Sequence, residues 1–357
     1  MTGSYSALFA PLAAWMLVAL MRSLPVMLTV LLLAACGDRA PSYELSGHAM
    51  GTRYSVKVAQ AMPGPVRERL QREIELVLED VENGMSTWLV HSEVSKFNAS
   101  RSTEWFEVSE GTCRAVEEAN GVSRLSGGVF DVTVGPLVNL WGFGPDPARG
   151  EPPAQSGIDA ALERVGYQRL HTDCGQPALR KDVPDLYVDL SGYAKGLAVD
   201  RVAHRLESRD IHRYLVEIGG ELRLRGLDAD GEPWSVAIET ASDTRPAVLL
   251  TLSLSDMAVA TSGDYRNFFE YEGRRYSHLI DPRTGRPTTH DLAAVTVLAP
   301  RAALADAWAT ALLVLGPDEG FDLAVREQIP AAFQLRTNDG FREKLTPGFI
   351  ALDSRKP

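Results

Sequence analysis

Residues 188 to 200 read Val188-Asp189-Leu190-Ser191-Gly192-Tyr193-Ala194-Lys195-Gly196-Leu197-Ala198-Val199-Asp200, and they join two periodicities across a turn of small residues. Leu186, Val188 and Leu190 alternate with more polar neighbours, the period of a half-buried strand, whereas Leu197, Val199, Val202 and Leu206 share one face of a helix. The stretch therefore predicts strand, turn and helix in immediate succession. Ser191 and Gly192 fall where a helix start leaves backbone N–H groups without partners, and Lys195 follows in the first turn, so an anionic group such as a phosphate suits the place. Asp189, in front of the turn, is open to a polar ligand group. The segment matches neither the P-loop nor the dinucleotide fingerprint.

Downstream, Tyr214 to Ile218, Leu222 to Arg225, Trp234 to Ile238 and Val248 to Leu254 read as a run of strands with few helices between them. Ala260 to Arg266 reads as a hydroxyl-rich turn, and Tyr276 to Gly285 as a strand ending in a Pro-Arg-Thr-Gly turn. Upstream, Thr52 to Val58 alternates as a strand. Pro65 opens a long helix with apolar positions Val66, Leu70, Ile74, Val77, Leu78 and Val81. A second helix runs from about Ser109 to Leu125 and stops at Gly127-Gly128. The region 158 to 165 looks helical, Tyr167 to Leu170 strand-like, and Ala302 to Leu315 a further helix. Together these predict an α+β fold, a single compact domain with a mixed or antiparallel sheet and flanking helices.

The chain has 357 residues, 45% of them hydrophobic, and a formal net charge of −11. That length buries a sizeable core, and the negative charge without any basic run excludes nucleic acid as a partner. Bound phosphates must then be held locally, by dipoles, a metal ion or single lysines. Two apolar stretches, Ala7 to Leu20 and Val26 to Ala35, flank Arg22, and the second ends Leu33-Ala34-Ala35-Cys36. This pattern reads as a lipoprotein signal over residues 1 to 35, with Met21 a better start than Met1, and with Cys36 as the lipidated residue after export. Residues 36 to 48 read as a polar tether and 49 to 350 as the folded domain. Cys113 and Cys174 remain; in an oxidising compartment they could pair, but their spacing is not that of a metal site.

Two further clusters carry chemistry. Asp306 and Thr310 are four apart, so on a helix they face the same way, and one carboxylate with one hydroxyl suits Mg²⁺ when substrate phosphates complete its shell. His278 lies where a strand gives way to the Asp281-Pro282 turn, and its imidazole is suited to accept a proton near neutral pH.

Taken in order, several motifs resemble the ApbE family of bacterial flavin transferases, across roughly Ser46 to Gly316. They are Ala49-Met50-Gly51-Thr52, Ser86-Thr87-Trp88, the segment Phe130 to Gly144, Asp189 to Gly196, Ile218-Gly219-Gly220-Glu221, Thr261 to Tyr265, His278 to Gly285 and Asp306 to Thr310. The resemblance implies that Met50, Trp88, Val129, Phe130, Asp131, Asp189, Lys195 and Ile280 line an FAD site. It further implies that Asp306 and Thr310, with a backbone oxygen of Gly192, hold Mg²⁺. The implied reaction is transfer of FMN from FAD to a serine or threonine hydroxyl of an acceptor protein, with AMP leaving, Lys195 and the metal stabilising charge, and His278 as base. The implied acceptor is a subunit of a membrane electron-transfer complex facing the periplasm, beside an enzyme lipid-anchored in the envelope, at the inner membrane. The same residues would serve an Mg²⁺-dependent FAD pyrophosphatase, with water in place of the acceptor hydroxyl, or a flavin-carrying lipoprotein without chemistry. A role in thiamine metabolism, an older association of the family, has no corresponding site in the sequence.

Overall fold

The computed structural model describes residues 40–145, 150–242 and 247–352. The lipidation position Cys36 and the signal preceding it lie outside the described residues. Among the described residues, eight strands form one sheet whose spatial order is also their chain order: Tyr43–Ala49, Thr52–Val58, Tyr214–Ile218, Glu221–Arg225, Met257–Gly263, Leu292–Ala299, Ala331–Thr337 and Gly340–Leu345. Every neighbouring pair is antiparallel. The fold is thus α+β with antiparallel sheets. The chain leaves this sheet after Val58 and returns at Tyr214, and the excursion supplies most of the helices and the central turn.

Period-2 alternation explains why the sheet has two covered faces. Tyr214, Val216, Ile218, Ala258, Ala260, Val295 and Val297 belong to the larger core, with the helices Gly64–Met85, Glu110–Leu125, Ala194–Glu207 and Ala302–Leu315. The intervening Leu215, Leu224, Val259 and Leu298 face the other way. There they pack against Trp234, Val236, Leu250 and Leu252 of a separate hairpin, Trp234–Glu239 with Val248–Leu254. Leu292–Ala299, buried along almost its whole length, is one of the strands that both cores share.

Four readings of the sequence are corrected. Tyr43–Ala49, inside the expected tether, is an edge strand whose alternate residues Tyr43 and Leu45 pack on the core while Glu44 and Ser46 face out. Leu186 to Leu190 keeps the expected in–out alternation but joins no ladder. Instead the Asn98 side chain stands in for a neighbouring strand, donating from Nδ2 to the Val188 carbonyl (2.8 Å) and accepting the Val188 N–H at Oδ1 (2.7 Å). Lys181, fully buried, adds a second clamp by donating to the carbonyls of Phe97 (3.0 Å) and Leu186 (3.2 Å). Finally, Ala260 to Gly263 is strand rather than turn. Its hydroxyls bond across elements, Thr261 to Thr296 on the adjacent strand at 2.8 Å, so the polarity that suggests a turn is used up inside the sheet. Tyr167–Arg169 is likewise a short 3₁₀ turn, and the strand begins only at Leu170.

Cys113 and Cys174 are disulfide-bonded, 61 residues apart in sequence. The bond ties the first turn of Glu110–Leu125 to the connection between the strands Leu170–Asp173 and Ala178–Lys181.

Candidate active site

The site is built where two helices meet end to side. Ala194–Glu207 starts at the central turn, and Ala302–Leu315 crosses it so closely that a Cβ built on Gly196 would lie 2.3 Å from the Ala302 carbonyl oxygen. Only glycine fits. The two helices also cap each other. Asp200, one turn into the first, accepts the N–H groups of Ala302 (3.0 Å) and Ala303 (3.1 Å), while Asp306 of the second accepts the Gly196 N–H at 3.1 Å. Each carboxylate thereby satisfies N–H groups that a helix start leaves without partners.

This crossing brings the predicted metal-side residues together. A Cβ on Gly192 would stand 3.2 Å from the Thr310 hydroxyl and 3.2 Å from the Phe130 ring, so the turn backbone, Thr310 and Phe130 are immediate neighbours. Thr310 shares a hydrogen bond with Ser262 (3.0 Å). Asp306 is buried, and burial pushes its carboxyl above the usual carboxylate range against the opposing pull of Lys195 and the Gly196 N–H. A carboxylate, a hydroxyl and a backbone carbonyl are hard oxygen donors of the kind Mg²⁺ takes alongside substrate phosphates. Among the described residues no cluster of three or more His, Cys, Asp or Glu offers a metal an all-side-chain cage. The residues fit a metal that shares its shell with an oxyanion.

Lys195 points from the same turn toward the strand start at Glu221, with which it forms a short ion pair. Burial works against the ammonium, yet the Asp306 and Glu221 carboxylates outweigh it and hold its pKa above the ordinary lysine value. Glu221 is itself raised, chiefly by burial, and its second oxygen, Oε2, has no hydrogen-bond partner. The Gly219-Gly220 turn ahead of it closes the Ile218–Glu221 pair with φ of 62° and 106° and leans on Thr52 and the Lys195 stem. Thr52 in turn follows Met50-Gly51, a two-residue hairpin turn with both φ positive (53° and 70°), and the Met50 N–H is held by Glu82 at 2.9 Å. Met50 is thereby placed beside the lysine's side of the site.

His278 follows the hairpin Phe268–Tyr271 with Arg274–Ser277. Its Nδ1 lies 3.1 Å from the Asn267 carbonyl oxygen. A carbonyl only accepts, so Nδ1 carries the hydrogen and Nε2 keeps a free lone pair. Burial, helped by the charge on Lys195, depresses the imidazole pKa below its usual value. Phe143 packs edge-on against the ring at 6.3 Å, at the end of an aromatic shelf made by Trp141, Phe269 and Tyr276.

Other predicted residues stand differently. Asp189 uses one oxygen within the turn, Oδ1 accepting both the N–H and the hydroxyl of Ser191. Asp131 is buried, with Oδ1 taking Thr133 N–H and hydroxyl (2.7 and 2.6 Å) and Oδ2 the Tyr167 N–H (3.0 Å), so only its backbone is left for a ligand. Val129 and Phe130 are buried beside the turn, and Ile280 lies in a satellite cluster with Leu137, Trp141 and Ile158. Trp88 stands 64% exposed, and among the described residues no ring stacks on it.

A model of the ApbE family matches residues 50–333. The chain belongs to the ApbE family. It is 46% identical over 322 residues to an FAD:protein FMN transferase of Vibrio cholerae, covering 90% of this chain and 96% of that one. It is 40% identical to one of Haemophilus influenzae, covering 91% and 95%. Among solved structures, the flavin transferase ApbE from Vibrio cholerae superposes with a TM-score of 0.80 at 44% identity, over 88% of this chain and 99% of that one. The apo flavinyl transferase ApbE of Pseudomonas stutzeri gives 0.80 at 40%, over 88% and 97%. The ApbE membership accounts for the motifs, but the sequence pattern alone assigns Glu221 no role. Its signal is a carboxylate set directly after two glycines at the inward start of a strand. Ser262, hydrogen-bonded to Thr310, likewise carries no signal of its own in the sequence.

Proposed function

We propose that this protein transfers FMN from FAD to a serine or threonine hydroxyl of an acceptor protein, in the presence of Mg²⁺, with AMP as leaving group. The observation that carries the reading is the convergence of Asp306, Thr310, the Gly192 backbone and Lys195 on one helix start. Such a place favours an oxyanion chain like a pyrophosphate. Asp306, Thr310 and the Gly192 carbonyl would hold the metal, which when bound neutralises charge on the substrate phosphates. Lys195 binds the same phosphates and offsets the negative charge that moves onto AMP. His278 Nε2 takes the acceptor's proton as that oxygen attacks the phosphorus on the FMN side. A bond from the acceptor oxygen to phosphorus forms, the pyrophosphate P–O bond breaks, and the electron pair leaves with AMP. Trp88, exposed on its loop, and the half-buried Met50 at its hairpin turn are the apolar groups suited to the flat rings of FAD.

The domain would act from a lipid anchor at Cys36 on the periplasmic side of the envelope, beside an acceptor belonging to a membrane electron-transfer complex. The Cys113–Cys174 disulfide supports an oxidising compartment. The test is incubation of the protein with FAD, Mg²⁺ and an acceptor domain that a known FAD:protein FMN transferase modifies. Flavin fluorescence on the denatured acceptor, with stoichiometric AMP, is expected. AMP and free FMN without labelled acceptor would establish a pyrophosphatase instead, and neither product a flavin carrier.

A further inference from the structure

Glu221 and Lys195 share an ion pair but not an exposure: 33% of the lysine side chain is open, against 3% for the glutamate. The lysine therefore faces the site, and the glutamate forms the floor beneath it. We propose that Glu221 is a positioning residue, which fixes the Lys195 ammonium toward the substrate's phosphates before they arrive and touches no substrate itself. The proposal rests on the reading of this site as one for FAD.

The surroundings support a device rather than an incidental pair. Lys195 has four rotatable bonds, and holding it in one geometry costs side-chain entropy that an unpaired lysine would lose only on binding. Two elements restrict it in advance: the Gly219-Gly220 turn, where a Cβ built on Gly219 would lie 3.5 Å from its Cδ, and the Glu221 carboxylate at its tip. Arg266 reaches the same turn, its Nη1 lying 3.5 Å from the Gly219 carbonyl. Asp306 attracts the ammonium as well but spends one oxygen on the Gly196 N–H. Glu221 thus supplies the short bond to the lysine, and a buried carboxylate with one unpartnered oxygen is otherwise costly to keep.

The test is a double-mutant cycle, read both as FAD affinity by quenching of flavin fluorescence without acceptor and as transfer rate. Glu221→Gln is nearly isosteric and retains an acceptor oxygen. In the native background it is expected to weaken FAD binding and slow transfer together by roughly tenfold to a hundredfold, the usual loss when a supporting hydrogen-bond partner is removed. In a Lys195→Met background the same substitution is expected to change neither. Equal losses in both backgrounds would overturn the proposal, since Glu221 would then act independently of Lys195, as would no loss in the native background. Thermal melts of all four proteins separate a folding defect from either result, a defect confined to Glu221→Gln with normal FAD affinity in the folded fraction also counting against it. If the native protein does not bind FAD, the reading of the site fails first and takes this role with it. If it binds and the cycle is additive, only the role of Glu221 fails.

Discussion

The two sides of the site are built in opposite ways. On the phosphate side, every functional group is fixed by two or more elements and most are buried: Asp306 bonds to the neighbouring helix start, Thr310 to Ser262 on a strand, and Lys195 to Glu221 on another. On the flavin side, Trp88 projects from a loop, Met50 sits at a hairpin tip, and His278 hangs from a two-stranded hairpin outside the main sheet. The difference follows from what each side must recognise. Charge stabilisation needs preorganised dipoles out of water, so it is taken from the core. On the proposed reading, a flat ring and an incoming acceptor need access, which Trp88 on its loop and the His278 hairpin would give. Substitutions on the first side should therefore affect rate steeply, and those at Trp88 and Met50 affinity mildly.

The largest effect is expected at Asp306. Asp306→Asn keeps an oxygen for the Gly196 N–H but removes the charge, and transfer to the acceptor should fall about a thousandfold, the upper range for losing one electrostatic contributor. Labelled acceptor per hour on a denaturing gel measures it. A melting temperature near native with activity retained would make Asp306 a helix cap and nothing more. Next in size is a change that touches neither side. Removing the disulfide by Cys113→Ser with Cys174→Ser should lower unfolding free energy by about 3 kcal/mol, read by urea titration. The transfer rate of the folded protein should stay near native, because the bond lies outside the helix crossing.

How much of this contrast the sequence carries also differs by side. The helices Gly64–Met85 and Ala302–Leu315 and the strand Tyr214–Ile218 are legible because their apolar spacing is set by burial against one large core. Asp306 and Thr310 are legible because i and i+4 on a helix must face together. What is not legible arises from partners distant in sequence. Asn98 replaces a strand for Val188, ninety residues on, and no local pattern announces it. Asp131 looks like a free ligand until the turns that take up both its oxygens are seen, and Asp189 gives one oxygen to its own turn. The strand character of Ala260 to Gly263 is hidden because Thr261 finds its hydroxyl partner on a strand that lies later in the chain.

His278 lies between the two sides in effect. Its depressed pKa means that the imidazole is neutral at pH 7, so the transfer rate should be flat there and fall only as pH drops below the usual histidine value of about 6.5. His278→Gln should cost about a hundredfold in rate, near the lower range for a general base. It should also remove that acid limb while leaving FAD affinity unchanged. An acid limb that persists in His278→Gln would assign it to another group, and a loss of FAD affinity would move His278 from proton acceptor to ligand contact.

The smallest effect is expected at Trp88, and it is the one that tests whether the open side has been placed correctly. The indole is exposed and stacks on no ring among the described residues, so Trp88→Ala should leave stability unchanged. If the ring covers the flavin or adenine, its loss removes about 0.5–1.5 kcal/mol of stacking. That corresponds to a rise of roughly twofold to tenfold in the KM for FAD with kcat unchanged, because the interaction is equal in ground and transition states. Trp88→Tyr, which retains a ring, should recover most of the affinity. An unchanged KM in Trp88→Ala would shift the flat-ring surface to the shelf of Trp141, Phe269 and Tyr276. Acceptor and flavin would then approach from the His278 hairpin, and only the phosphate side of the comparison would stand as drawn.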